Sequence, residues 1–281
     1  MWYLFFTTRH VDKRTKLHFL GKIELNKNSI VLFVYTIISC HPIPKVSINK
    51  KRYKMSHSTV LRRPQIITLE GNIGAGKSTF LEKFKDYCRD RNDILFLQEP
   101  VNIWGKVKQD DKTILELFYE NQEKYSFPFQ MLAYHTRYEL LKDAIELAMK
   151  KGVKTIIMER SLEADRNIFA KMLYDEGKIE DCNYSIYRIM SDAGLKTLSA
   201  DKIWWLNTDA EECARRIIKR GRTGEENIPL EYLQKCHQYH VDWLQNNPKV
   251  LVVEDSFEEL LLEHDKSIHH NTSTPMIYST V

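Results

Sequence analysis

A chain of 281 residues, 43% hydrophobic and 28% charged, can bury a substantial core and is too apolar for an extended disordered polymer. Its formal charge of +4 is uneven, because residues 1–54 hold eleven Lys/Arg against two acids and the remainder is therefore net negative; this speaks against a nucleic-acid-binding surface on the main domain. The longest apolar run, residues 30–40, falls well short of the roughly 20 residues a membrane-crossing helix needs, and five scattered cysteines without CxxC or Cys/His metal spacing argue against a disulfide framework.

In chain order, residues 1–60 form a basic N-terminal extension with no expected chemical role. It fits a mitochondrial transit peptide, a disordered leader, or a gene-model artefact ahead of a start at Met55, so residence is cytoplasmic or mitochondrial. From Gln65 onward, apolar β-type runs at 66–70, 94–98, 155–160, 202–207 and 250–255 alternate with segments of helical period. The expected fold is α/β, with a five-stranded parallel sheet of P-loop NTPase type, helices on both faces and a short basic lid, over a domain spanning residues 61–262. One helix follows the glycine turn, with Phe80, Leu81, Phe84, Tyr87 and Cys88 on one face. A longer one is expected to open at Pro128 and close before Gly152, with an inward stripe of Phe129, Leu132, Leu140, Ala144 and Ala148. A third is expected to start with a capping box from Thr208 to Glu211 and to run into a basic cluster. Residues 263–281 read as a disordered tail; its terminal Ser279-Thr280-Val281 is too short a signal for a carboxylate-capturing groove.

The run Gly71-Asn72-Ile73-Gly74-Ala75-Gly76-Lys77-Ser78, followed by Thr79, fits GxxxxGK[ST] between a strand and an amphipathic helix. There, backbone N–H groups and a helix N-terminus wrap a polyphosphate, Lys77 reaches its outer oxygens and Ser78 binds Mg²⁺. A nucleoside triphosphate, ATP first among them, is the expected ligand. A tight turn without that role is the competing account.

Transfer of a phosphoryl group to a hydroxyl also needs a base and cations. Glu99 stands at the carboxyl edge of the sheet, where such sheets bind ligands, and Pro100 stops the strand. Glu159 and Arg160 of "MERS" reach the same edge, so Arg160 can fix Glu99 and neutralise the migrating group while Glu159 helps hold Mg²⁺ through water. An ordinary strand-end ion pair is the alternative. On the long helix, Gln130, Ala133 and Arg137 run along the apolar face, and in the segment after "MERS" Asp165 and Phe169 lie four apart. A buried amide and guanidinium need partners. An Arg137–Asp165 pair beside an aromatic plate suits a nucleobase, with Gln130 donating and accepting and Phe169 stacking. Arg216, Arg220 and Arg222 lie where a lid over the triphosphate would close.

With these residues in place, the stretch from about Arg63 to Phe257 resembles the deoxyribonucleoside kinase family through "GNIGAGKST", "EPVNIW", "FPFQ", "ERSLEADRNIFA" and "RGRTGEENIPLEYLQKCHQYHVDWL". The resemblance implies ATP-dependent phosphorylation of a deoxyribonucleoside 5′-hydroxyl with Glu99 as base and Arg160 beside it. It also implies Tyr119 and Glu225, favoured over Glu226, at the sugar 3′-hydroxyl, Trp104 and Phe129 as pocket walls, and a homodimer. Ala133, Arg137 and Asp165 are similar to the deoxycytidine and deoxyguanosine kinase branch, implying deoxycytidine and purine deoxynucleosides over thymidine. Gly224 departs from the pattern, since relatives commonly carry a second acid there.

Two rival readings remain at this level. A thymidylate-type monophosphate kinase shares the glycine turn and a Glu-Pro strand end, but favours Arg before Glu-Pro and Asp-Arg-Tyr, where this chain has Gln98 and Glu159-Arg160-Ser161. A catalytically silent nucleotide-binding subunit is the other, and it sits poorly with a full set of catalytic residue types.

Overall fold

The computed structural model describes the backbone of residues 19–26 and 29–36, and residues 63–225, 228–253 and 257–270. The chain divides into two compact units, residues 1–58 and 59–281. In the first, β1 (Phe19–Asn26) and β2 (Ser29–Thr36) form an antiparallel hairpin. Met55 and residues 271–281 lie outside the described residues.

In the second unit, β3 (Gln65–Glu70), β4 (Ile94–Leu97), β7 (Thr155–Glu159), β8 (Lys202–Trp205) and β9 (Val250–Val252) form one sheet in the order β4-β7-β3-β8-β9. Every pairing is parallel, as the alternation of strands and helices predicts. Alternate residues of the central strands feed opposite faces. Ile67, Leu69 and Ile157 pack with Leu81 and Phe84 of α1 (Lys77–Tyr87) and Leu260 of α10 (Phe257–His270). Ile66, Ile156 and Met158 pack with Leu141 and Ala148 of α4 (Gln122–Lys151) and Tyr187 of α7 (Asp181–Leu198). Phe84 meets Trp204 edge-on at 5.4 Å, fixing α1 across the sheet.

Several local expectations give way. The long helix α4 begins at Gln122, not Pro128, because Asn121 ends α3 (Ile114–Glu120) and caps α4, its Oδ1 accepting from Lys124 N at 3.1 Å. Pro128 sits inside the helix, and Leu141 rather than Leu140 is the fully buried member of the stripe. Thr208 builds no capping box. Asp209 is the N-cap of α8 (Ala210–Arg220), and Thr208 Oγ1 donates to Ala75 O at 3.3 Å, diverted to the glycine turn. Strand β4 ends at Leu97, leaving Glu99 in the loop ahead of α2 (Val101–Trp104). Helix α10 runs to His270, through the first part of the expected tail.

Further elements complete the unit. A short ribbon pairs β5 (Lys108–Gln109) with β6 (Lys112–Thr113) ahead of α3. Beyond β7, α5 (Leu162–Ala164), one π-helical turn (Asp165–Ala170) and α6 (Lys171–Asp175) follow in immediate succession, and α9 (Leu230–Leu244) packs against the π turn. A π turn is a rare geometry that recurs at functional sites, and here it carries both Asp165 and Phe169.

Candidate active site

The glycine turn leaves β3 and enters α1 through three left-sided conformations, at Gly71 (φ 149°), Gly74 (φ 80°) and Gly76 (φ 99°). A Cβ on Gly71 would lie 2.8 Å from Leu206 O, so glycine is needed for close backbone approach as well as for torsion. Gly76 caps α1 and brings no side chain to the first N–H groups of the helix, an arrangement that can receive an anion. Asn72 braces the turn: its Nδ2 donates to Leu233 O at 2.8 Å and its Oδ1 accepts from Ile73 N. Ala75 O is held by Arg216 Nη1 at 2.9 Å as well as by Thr208.

Lys77 Nζ donates to Gly71 O at 3.1 Å and Asn72 O at 2.8 Å. Burial, with the Arg160 guanidinium next in weight, lowers its ammonium to about 8. A polyanion in the turn would favour the protonated form. Ser78 Oγ donates to Glu159 Oε1 at 2.9 Å, which brings the two expected Mg²⁺ residues together. No cluster of three or more His, Cys, Asp or Glu suited to a metal occurs among the described residues. A hydroxyl and one carboxylate fit Mg²⁺, which keeps waters and substrate phosphates as its remaining ligands.

One cavity of about 700 Å³, mouth included, is lined by Ile73, Gly74, Lys77 and Ser78 at one end and by the candidate acceptor residues at the other. Gly71, Asn72, Ala75, Gly76, Thr79 and Arg216 do not line it. At its centre Glu99 Oε1 accepts from Arg137 Nη2 at 2.7 Å and Arg160 Nε at 3.2 Å. Burial opposes its ionisation, but Arg160, Arg137 and Lys77 outweigh burial and hold the carboxyl down at about 2. Arg160, just beyond β7, has φ 62°, a left-handed conformation that costs a non-glycine residue energy.

The other end is walled by aromatic rings. Trp104 meets Phe129 edge-on at 5.5 Å, Phe118 lies 5.0 Å from Phe129, and Trp104 Nε1 donates to Thr136 Oγ1 at 3.0 Å. Arg137 is 1% exposed and lies 3.5 Å from Asp165 Oδ1, so the expected pair forms, with Glu99 as the nearer partner. Burial dominates at Asp165 and pushes its carboxyl up to about 7 against the pull of Arg137 and Arg160, with the Glu99 charge adding to the rise. Gln130 Oε1, Arg137 Nε and Nη1, and Asp165 Oδ2 are buried with no hydrogen-bond partner among the described residues. Such orphans are costly unless something polar meets them. Ala133 lines the same wall. The ring of Phe169 carries the Arg160 guanidinium 4.5 Å from its centroid, so it orients a catalytic candidate as well as offering a plate.

Tyr119 and Glu225 also line the cavity. Glu225 is bound by Arg220 and, at 3.0 Å, by Arg222, so two of the three expected lid cations form an ion triad with the expected sugar acid, while Arg216 pairs with Glu212 at 2.7 Å. Glu226 lies outside the described residues. Gly224 has φ 89°, and a Cβ there would lie 2.9 Å from Glu116 Cγ, which accounts for glycine where an acid was expected. Leu115, Phe118, Val101 and Tyr232 line the cavity without having been singled out in sequence. The signal for α3 was present as Thr113-x-x-Glu116, which forms a capping box ahead of Leu115 and Phe118.

A parallel sheet with a glycine turn feeding a helix, and a cavity joining that turn to a carboxylate and two guanidiniums, define a P-loop phosphotransferase. The family model described as deoxynucleoside kinase matches residues 67–274. Among curated relatives, deoxycytidine kinase of Bos taurus is 36% identical over 196 residues, 63% of this chain and 74% of that one. Deoxycytidine kinase of Rattus norvegicus is 35% identical over 214 residues, 69% and 81%, and mitochondrial thymidine kinase 2 of Homo sapiens 33% over 216 residues, 72% and 75%. The chain belongs to the deoxynucleoside kinase family, and it is an enzyme that phosphorylates deoxynucleosides. The monophosphate-kinase and silent-subunit readings give way to this one.

Proposed function

We propose that this kinase transfers the γ-phosphoryl group of ATP, with Mg²⁺, to the 5′-hydroxyl of deoxycytidine, deoxyadenosine or deoxyguanosine in preference to thymidine. In this reading Glu99 orients and deprotonates the hydroxyl, while Arg160 and Lys77 hold charge on the migrating group. Ser78 and, by way of water, Glu159 would hold Mg²⁺, which would supply charge neutralisation for the phosphates. The turn from Gly71 to Thr79 and the cations Arg216, Arg220 and Arg222 bind the donor, and Tyr119 and Glu225 take the sugar 3′-hydroxyl. Trp104, Phe129, Gln130, Ala133, Arg137, Asp165 and Phe169 enclose the base.

The observation that carries the base preference is the set of unpartnered polar atoms on Gln130, Arg137 and Asp165, buried along one wall. A guanidinium beside a carboxylate meets an exocyclic amine next to a ring acceptor, as cytosine and adenine present, and the guanidinium alone meets the O6 and N7 acceptors of guanine. Thymine reverses that edge, offering a carbonyl in place of the amine and a ring N–H in place of the cytosine ring acceptor, and adds a methyl group at C5. Identity alone does not choose, since the deoxycytidine and thymidine kinases compared stand at 35–36% and 33%. A competition assay with all four deoxynucleosides is expected to give deoxycytidine and the purines the higher kcat/KM; a preference for thymidine overturns the base reading.

Exposed Ile186, Ile189 and Met190 share one face of α7, and they support a homodimer formed through helices. No helix among the described residues is long and apolar enough to cross a membrane. Neither a membrane nor a nucleic acid enters the proposed reaction. The basic leader suits either cytoplasmic or mitochondrial residence.

A further inference from the structure

The last residue of β3, Glu70, is 0% exposed and stands directly before the glycine turn. Burying a carboxylate fully is expensive unless it does something there. Its Oε1 accepts from the backbone N–H of Ser161 at 2.8 Å, and its Oε2 has no partner among the described residues. Ser161 follows Arg160, the residue forced to φ 62°. The two peptide planes that flank the Arg160 Cα are thus both tied to the end of β3: Arg160 N donates to Leu69 O at 3.0 Å, and Ser161 N donates to Glu70. A left-handed conformation at a non-glycine residue persists only where its surroundings over-determine it.

We propose that Glu70 is a positioning residue for phosphoryl transfer, clamping the Arg160–Ser161 peptide so that the Arg160 guanidinium stays on Glu99 and over the ring of Phe169. Those two contacts, 3.2 Å to Glu99 and 4.5 Å to the Phe169 centroid, are what a relaxed Arg160 backbone loses first. The inference rests on the reading of Glu99 and Arg160 as the catalytic pair.

The clamp needs an acceptor at a set reach, and it does not need the negative charge. Glu70→Gln keeps a carbonyl oxygen within reach of Ser161 N. Glu70→Asp keeps the charge but withdraws it by one carbon–carbon bond, about 1.5 Å, beyond hydrogen-bond range. In the full-length enzyme, the Asp variant is expected to lose at least about tenfold in kcat with its nucleoside Kd within threefold. The Gln variant is expected to stay within threefold on both, with both variants folded by thermal melt. Equal losses in the two variants, or a larger loss in Gln than in Asp, overturn the proposal, because position would then not be what Glu70 supplies. If Glu70→Asp fails to fold, Glu70→Gln decides alone, and a tenfold loss there rejects the clamp. Arg160→Lys separates the two readings: loss of turnover there with full activity in Glu70→Asp rejects the clamp alone. Full activity in Arg160→Lys rejects the catalytic pair and the clamp with it.

Discussion

Glu99→Gln is expected to lower kcat by two to four orders of magnitude, the usual worth of a positioned base, while the nucleoside Kd changes by only a few-fold. The amide keeps the shape of the carboxylate, and its carbonyl can still accept from Arg137 and Arg160, which now reach Glu99 at 2.7 and 3.2 Å. What it loses is the ability to take a proton. The carboxyl is held at about 2 in the free enzyme, because Arg160, Arg137 and Lys77 together outweigh its burial. It is therefore ionised throughout the working range and a weak base until those cations are drawn elsewhere. A nucleobase engaging Arg137 and phosphates engaging Arg160 and Lys77 would each release part of that hold, so basicity rises once both substrates are in place. Single-turnover kinetics with and without the substitution measure this; unchanged turnover in Glu99→Gln removes the residue from its role.

The second large effect concerns the base. Replacing Arg137 by Met and Asp165 by Ala together is expected to lower the ratio of kcat/KM for deoxycytidine over thymidine by at least about 100-fold. A site built to hydrogen-bond a substrate discriminates strongly, and an apolar wall does not. Arg137→Met alone is expected to behave differently. It leaves Asp165 buried and Glu99 short of its nearest cation, and removing one partner of a buried ion pair costs about 3–5 kcal/mol. Thermal melts of the single and double variants should separate the two cases, the single change being the more destabilised. A double variant with the parental base preference contradicts the assignment of these two side chains to the base.

The phosphate turn, the order of strands and the presence of Glu99, Glu159 and Arg160 at one edge were legible because each follows from local pattern: glycines between a strand and a helix, and acids where apolar runs end. Less legible was anything decided by a partner distant in sequence. Thr208 reads as a cap, yet its hydroxyl goes to Ala75, 133 residues away along the chain. Pro128 reads as a helix start, because proline disfavours helix interiors, but Asn121 had already opened the helix. The left-handed turn at Arg160 carries no sequence mark, since nothing in "MERS" calls for positive φ. Glu70 looks like one more polar strand end until its carboxylate is seen on Ser161 N. Pairing of Glu225 with Arg220 and Arg222 also needed the chain to be folded, although all three residues stood out in sequence.

The most direct test is a crystal structure of the enzyme with deoxycytidine and a non-transferable ATP analogue. The nucleoside 5′-oxygen is expected within about 3 Å of a Glu99 carboxylate oxygen, with the base against Gln130, Arg137 and Asp165 and the phosphates in the turn ahead of Lys77. A nucleoside bound outside this cavity, or a Glu99 side chain turned away from the 5′-oxygen, contradicts the account.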